Sequence, residues 1–236
     1  MKSLFTLFFT VFSLVSSAQI ERGGFGHFQS GLIGGNFERL KDYMKGIPEL
    51  NQTSISGGGS LAGGTGYGIV RNILIGGSGL ATAHVVSGPN NANITLGFAS
   101  GMFSMGYIIY AKKKFFIYPY LGVGAGGYNI SIENVGSITI PFANQGKVAS
   151  NETKNYVLGQ STYDFGISIK GNPSAKKPDR FGGFMLGLEL GTLMAVPSAN
   201  WADEDGEIVN GPPAFGQFNP YLRITIGGGG GKMTSK

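Results

Sequence analysis

The chain has 236 residues, a formal net charge of +5, 42% hydrophobic but only 13% charged residues, and no cysteine. The length suits one domain. The low charge argues against disorder, and the missing cysteine excludes both a disulfide-stapled module and a lipoprotein acylated on cysteine. The basic residues are scattered rather than gathered with aromatic platforms, which is not the pattern of a nucleic-acid footprint.

In chain order, Met1 and Lys2 lead into an apolar stretch over residues 4–15, followed by Ser16, Ser17 and Ala18. A basic start, an apolar core and a small-residue exit make a secretory signal peptide. Cleavage is expected after Ala18, leaving residues 19–236 as one domain. The apolar run is shorter than the roughly 20 residues of a membrane helix. No later stretch is long and apolar enough for one either. A low-charge exported chain of this kind can still reside in a membrane if its backbone polar groups are satisfied between strands of a closed barrel.

Eight strands are predicted, at about 24–35, 55–69, 72–87, 92–110, 115–134, 157–170, 181–196 and 215–227, separated by turn signals. Most exceed the roughly 9–11 residues a tilted strand needs to cross a bilayer. Between the first two, residues 37–50 carry Leu40, Tyr43, Met44 and Ile47 at helical spacing, with Asn36 as cap and Pro48 as stop. This helix is expected to fold over the barrel mouth. In the fifth strand Ile117, Leu121 and Val123 alternate with Tyr118, Tyr120 and Gly122. In the sixth, Phe165, Ile167 and Ile169 oppose Asp164, Ser168 and Lys170. In the seventh, Leu186, Leu188 and Leu190 oppose Gly187, Glu189 and Gly191, and in the eighth Leu222, Ile224 and Ile226 oppose Tyr221, Arg223 and Thr225. A period of two marks strands whose two faces meet different surroundings. The second to fourth strands alternate too weakly to assign.

Even-to-odd connections are short (70–71, 111–114, 171–180) and odd-to-even ones mostly longer (37–54, 88–91, 135–156, 197–214). Outer-membrane barrels sort their loops this way, which puts both termini in the periplasm. Tyr67, Tyr107, Tyr110, Phe115, Phe116, Phe181 and Phe184 fall near the periplasmic ends, and Tyr128, Tyr163, Phe165, Phe215 and Phe218 near the other rim. They are expected to form the two aromatic girdles. Glycine takes 42 positions. On the inner face of an eight-stranded barrel it relieves crowding and permits curvature.

These features together give an all-β, eight-stranded antiparallel up-and-down transmembrane barrel with one short helix in its first external loop. The stretch Tyr118-Pro119-Tyr120-Leu121-Gly122-Val123-Gly124-Ala125-Gly126-Gly127 and the closing Asn219-Pro220-Tyr221-Leu222-Arg223-Ile224-Thr225-Ile226-Gly227 resemble the small glycine-rich outer-membrane barrels of the broad OmpX/OmpW type. That resemblance covers the whole mature chain and implies a location in the outer membrane of a Gram-negative bacterium. Such barrels typically end in an aromatic residue that helps recognition by the assembly machinery, whereas this chain runs on through Gly228–Gly231 to Lys236, so either the targeting signal is internal, near Tyr221–Ile226, or the glycine tail is an expression or family peculiarity.

No catalytic, cofactor-binding or metal-binding residues are expected. The tail does not match a phosphate loop, because Ile226 stands where the first glycine belongs and Met233 where Ser or Thr belongs. His27 and His84 are the only histidines, and neither His27 with Ser30 nor His84 with Ser87 repeats a nucleophile–base motif. Asp203, Glu204, Asp205 and Glu207 lack the spacing of a calcium cage and read as a solvated loop. The sharpest constellation is a lumen charge cluster of Asp164, Lys170, Glu189 and Arg223. Charges inside a narrow barrel must pair, and paired they would close it. The expectation is a non-enzymatic, monomeric structural or interaction barrel with an occluded lumen. Its partners would be outer-membrane lipid, lipopolysaccharide and other envelope proteins, and not nucleic acid. The alternatives are a narrow channel for small or apolar molecules and an exported soluble ligand-binding barrel.

Overall fold

The computed structural model describes residues 19–35, 38–45, 58–87, 93–112, 114–133, 138–139, 147–148, 153–173, 180–209, 211 and 217–234. The expected signal peptide, residues 1–18, lies outside them. Eight long strands make the wall: β1 (Gln19–Gly34), β2 (Gly58–Val70), β3 (Ile73–Ser87), β4 (Asn93–Tyr107), β5 (Phe115–Glu133), β6 (Thr153–Gly171), β7 (Arg180–Asp203) and β8 (Phe218–Thr234). Each pairs antiparallel with its sequence neighbour, and β8 pairs back onto β1 from Ile33↔Tyr221 to Gln19↔Thr234, so the sheet closes. Closure leaves no open edge, which is the condition for strands to sit in hydrocarbon.

The wall is apolar outside. Leu32, Leu190 and Ile224 are 69%, 60% and 57% exposed, while the neighbouring inward positions Gln29, Glu189 and Arg223 are almost fully buried. The faces expected for β5 to β8 are the faces observed, and β2 to β4 now resolve as well. Leu61, Tyr67 and Ile69 point in from β2, Leu74 and Leu80 from β3, and Leu96, Phe98 and Met102 from β4.

Inside, the side chains form layers. At the end holding the termini, Ile20, Phe25, Tyr67, Phe116, Tyr118, Phe181 and Met233 make one apolar cluster. At the opposite end Ile33, Leu96, Phe98, Tyr128, Ile130, Leu193 and Trp201 make another. The helix α1 (Glu38–Lys45) lays Leu40, 1% exposed, into this second cluster, with Tyr43 packed beside it. Burying one leucine contributes about 1.5–3 kcal/mol, enough to hold a short helix that would not persist alone. Met44 and Ile47, the other residues of the expected stripe, have side chains outside the described set.

The girdle assignment needs correction. Tyr67, Phe116, Phe181 and Tyr128 point inward and are buried, whereas Tyr107, Phe115, Phe184, Tyr163, Phe165 and Phe218 face out. Adjacent residues of a strand point to opposite faces, so Phe115 and Phe116 cannot share the lipid side. Phe215 lies outside the described residues.

The glycine tail is also corrected. Gly228–Gly231 belong to β8, opposite Gly26–Gly23 of β1 and Phe184–Phe181 of β7. Glycine is a poor strand former in isolation, but here the inward aromatic rings need its missing side chain. A Cβ at Gly229 would lie 2.3 Å from the Phe25 Cβ, and one at Gly231 2.3 Å from the Phe181 ring. β7 likewise runs past its expected end, through an irregularity between Pro197 and Trp201, and its tip pairs with Ile208–Val209.

The turn from β2 to β3 is Arg71–Asn72, with φ of 47° and 68°. Two successive positive φ values match the right-handed twist of a tight hairpin. Asn72 also fastens the start of β1: its Oδ1 accepts the Ile20 N–H at 2.7 Å.

Candidate functional site

Between the two apolar layers lies a polar one, and it gathers the four charged residues singled out in the sequence. Asp164 and Lys170 come from β6, Glu189 from β7 and Arg223 from β8, all at inward positions and each 3% exposed or less. Glu189 stands opposite Arg223 in the β7–β8 register and opposite Ser168 in the β6–β7 register. Lys170 Nζ lies 2.8 Å from Glu189 Oε1, and Arg223 Nε 3.2 Å from Glu189 Oε2. The latter is a charge contact whose angle does not make a hydrogen bond. Arg223 Nη2 donates to Asp164 Oδ2 at 3.1 Å. Two cations thus meet two carboxylates, as burial demands.

Residues outside that set of four complete the network. Lys170 donates to Thr225 Oγ1 at 2.6 Å, and its Nζ lies 3.4 Å from His27 Nε2, which is itself 3.4 Å from Glu189 Oε1. Ser168 donates to Glu189 at 3.3 Å. Arg223 donates to the Tyr120 hydroxyl, Tyr120 and Tyr221 share a hydroxyl–hydroxyl bond, and Tyr221 donates to Asp164. One direction satisfies all three bonds: Arg223 to Tyr120, Tyr120 to Tyr221, Tyr221 to Asp164. The guanidinium carbon also sits 3.8 Å from the centre of the Tyr221 ring, a cation–π contact inside the wall.

Glycine makes room for this arrangement. A Cβ at Gly166 would lie 2.6 Å from the Tyr120 hydroxyl, and one at Gly191 2.3 Å from that of Tyr221. Tyr120, Tyr221 and Thr225 share the inward parity of the charged residues, a signal present in the sequence. His27 carried no such signal, because β1 alternates weakly around it.

The other candidates stay apart. His27 points in while Ser30 is exposed on the outer face, so they do not meet as nucleophile and base. The side chains of His84 and Ser87 lie outside the described residues. In the acidic loop, Asp203 accepts the backbone N–H groups of Asp205 at 3.1 Å and Glu207 at 2.8 Å, closing a turn on itself. Gln29, Gln160 and Thr162 are buried in the lumen wall with side-chain polar atoms that make no hydrogen bond among the described residues.

No protein-family model matches the chain, and no curated protein matches it significantly. Among solved structures it is similar to the outer membrane protease OmpT of Escherichia coli, with 10% sequence identity and a TM-score of 0.32 over 91% of this chain and 95% of that one. The barrel assignment stands on the strand pairing described above. That neighbour is a protease, against the sequence-based expectation of a non-enzymatic barrel, and the expectation is not carried further. So distant a likeness assigns no catalytic residue to this chain.

Proposed function

We propose that this chain is an outer-membrane envelope barrel of the small OmpX/OmpW-like class, exported on residues 1–18, whose lumen is closed by the paired charges of Asp164, Lys170, Glu189 and Arg223. Its role on this reading is structural or interactive. The external loops and the helix over the mouth face lipopolysaccharide and other envelope proteins, and the barrel acts as a monomer. The outward apolar face supports residence in lipid and weighs against a soluble ligand-binding barrel, which would turn that face to a core.

The observation that carries the closed lumen is a fully buried two-cation, two-carboxylate network lying between two apolar layers. Eight strands enclose little more than their own side chains. In a planar bilayer the wild type is expected to pass almost no current, and Glu189→Ala to raise conductance above it. Large, stable wild-type conductance would overturn the reading. It would favour a narrow polar pathway instead, for which the buried Gln29, Gln160 and Thr162 would supply the lining.

A further inference from the structure

Not every polar group in the lumen joins the charge layer. Ser100 on β4 and Gln160 and Thr162 on β6 point inward and are buried. The Ser100 hydroxyl, the Thr162 hydroxyl and both polar atoms of the Gln160 carboxamide make no hydrogen bond among the described residues. The register gathers the three around two glycines of β5. Gly126 stands opposite Ser100 on one side and Gln160 on the other, and Gly124 stands opposite Thr162. The close approach of β4 requires glycine there: a Cβ at Gly126 would lie 2.7 Å from the Ser100 Cβ. The result is a bare backbone floor with polar side chains on both flanks.

The register neighbours of these groups are apolar. Leu80 of β3 stands opposite Ser100, Met102 of β4 opposite Gly124, and Ala195 of β7 opposite Thr162. Asp164, the next inward residue from Thr162 toward the termini, already gives its oxygens to Arg223 and Tyr221. Toward the external mouth the next inward residues are Phe98 beyond Ser100 and Tyr128 beyond Gly126, with ring centroids 5.0 Å apart. Together with Thr82, Leu193 and Asn219 they line a cavity of about 20 Å³. One water needs roughly 10–15 Å³, so water has room next to the niche.

Buried polar groups are almost always paired, with protein or with ordered water. Two hydroxyls and a carboxamide both donate and accept, and none of the three side chains is charged, so they suit an uncharged ligand that does the same. Size narrows the choice. Ser100 and Gln160 are two strand spacings apart, roughly 10 Å between Cα atoms, and their own side chains fill part of that gap. We propose that the external half of the lumen is a hydration site, in which ordered water bridges Ser100, Gln160 and Thr162 over the floor of Gly124 and Gly126. A buried water usually makes about three hydrogen bonds, one for each side chain gathered here. This water borders the outer side of the charge layer, because Thr162 is the inward residue next to Asp164. The inference goes beyond the closed lumen and does not depend on it: the water is a bound ligand whether or not current passes.

The test uses the full mature chain refolded in detergent. Heat-modifiable gel mobility first establishes a folded barrel for every variant. Thr162→Val and Ser100→Ala each delete one hydroxyl and nearly preserve shape. A hydroxyl that holds water contributes to stability, so each variant is expected to lower the urea midpoint of the folded form. A buried hydroxyl without a partner costs stability instead, so an unchanged or raised midpoint in either variant overturns the proposal. A second readout detects the water itself. In a perdeuterated chain with isotope-labelled threonine methyls, the Thr162 methyl is expected to show cross-relaxation with water of long residence. The double variant Ser100→Ala/Gln160→Leu keeps Thr162 and should reduce that signal several-fold. An undiminished signal would come from exchange of the Thr162 hydroxyl alone and sinks the site, as does the lack of any signal in the wild type. Planar-bilayer conductance decides the closed-lumen reading separately, so failure of one leaves the other distinguishable.

Discussion

Glu189 and Arg223 face each other across the β7–β8 register with Arg223 Nε 3.2 Å from Glu189 Oε2, both sealed from solvent. The other carboxylate oxygen of Glu189 takes Lys170 at 2.8 Å and Ser168 at 3.3 Å. Glu189→Gln would therefore leave two buried cations with one carboxylate between them. Breaking a buried pair from one side costs about 3–5 kcal/mol. The variant is expected to show that loss as a lower urea midpoint for the fast-migrating, folded form on unheated gels. Adding Lys170→Met should recover part of it, because residues in one network do not act additively. A Glu189→Gln barrel as stable as the wild type would show that the network does not hold the fold.

The glycine run of β8 makes a parity test. A Cβ at Gly229 would sit 2.5 Å from the Gly24 carbonyl as well as against Phe25, while one at Gly230 makes only ordinary contacts, with the Phe181 carbonyl at 3.6 Å and the Gly182 Cα at 3.8 Å. Gly229→Ala is expected to destabilise by about 1–3 kcal/mol, the usual effect of overpacking. Gly230→Ala should be neutral or slightly stabilising, because it restricts the unfolded chain without a clash. Equal effects at the two positions would mean that this stretch does not pair as a strand.

The same parity explains what could be read in the sequence. In β5 to β8 the outward residues are large and apolar and the inward ones small or polar, so a period of two stands out and places Asp164, Lys170, Glu189 and Arg223 on one face. In β2 the outward residues are Ser60, Ala62, Gly64, Gly66 and Gly68. They offer no contrast with an inward series that itself contains Gly63 and Thr65, so the face was illegible. The glycine run failed for a different reason. Its strand character comes from Phe25 and Phe181, contributed by other strands, and no local pattern in β8 reports them. The misplaced aromatics were legible in principle: Phe181 and Phe184 differ by an odd number of positions, so they could not both face lipid. His27 joined the polar layer only through closure of β8 onto β1, a pairing between the two ends of the domain.

Tyr221 links the two halves of the charge layer. It donates to Asp164 and shares a bond with Tyr120, which in turn accepts from Arg223. Tyr221→Phe removes a hydrogen bond to a charged group, a loss of about 1.5–3 kcal/mol. Gly191→Ala should match it without deleting any polar atom, because the new methyl would lie 2.3 Å from both the Tyr221 hydroxyl and the Phe165 carbonyl. Chemical denaturation of both single variants and the double checks the link. If the phenol is displaced in Gly191→Ala, adding Tyr221→Phe should cost little more. Full additivity would place the damage elsewhere.

The Arg71–Asn72 turn separates backbone strain from side-chain fastening. Both residues have positive φ, at 47° and 68°, a conformation that costs a non-glycine residue about 1–2 kcal/mol. Arg71→Gly relieves that strain. The Arg71 N–H bond to the Glu21 carbonyl at 3.0 Å belongs to the backbone and survives the change, so the variant is expected to be as stable as the wild type or slightly more so. Asn72→Gly relieves the same strain but deletes the Oδ1 that accepts the Ile20 N–H at 2.7 Å in a buried setting. An unsatisfied buried donor costs about 1–3 kcal/mol, so this variant is expected to lose stability on balance. Amide exchange locates the loss: the Ile20 N–H should exchange faster in Asn72→Gly and stay protected in Arg71→Gly. Equal protection in both would mean that the Asn72 side chain does not fasten the start of β1.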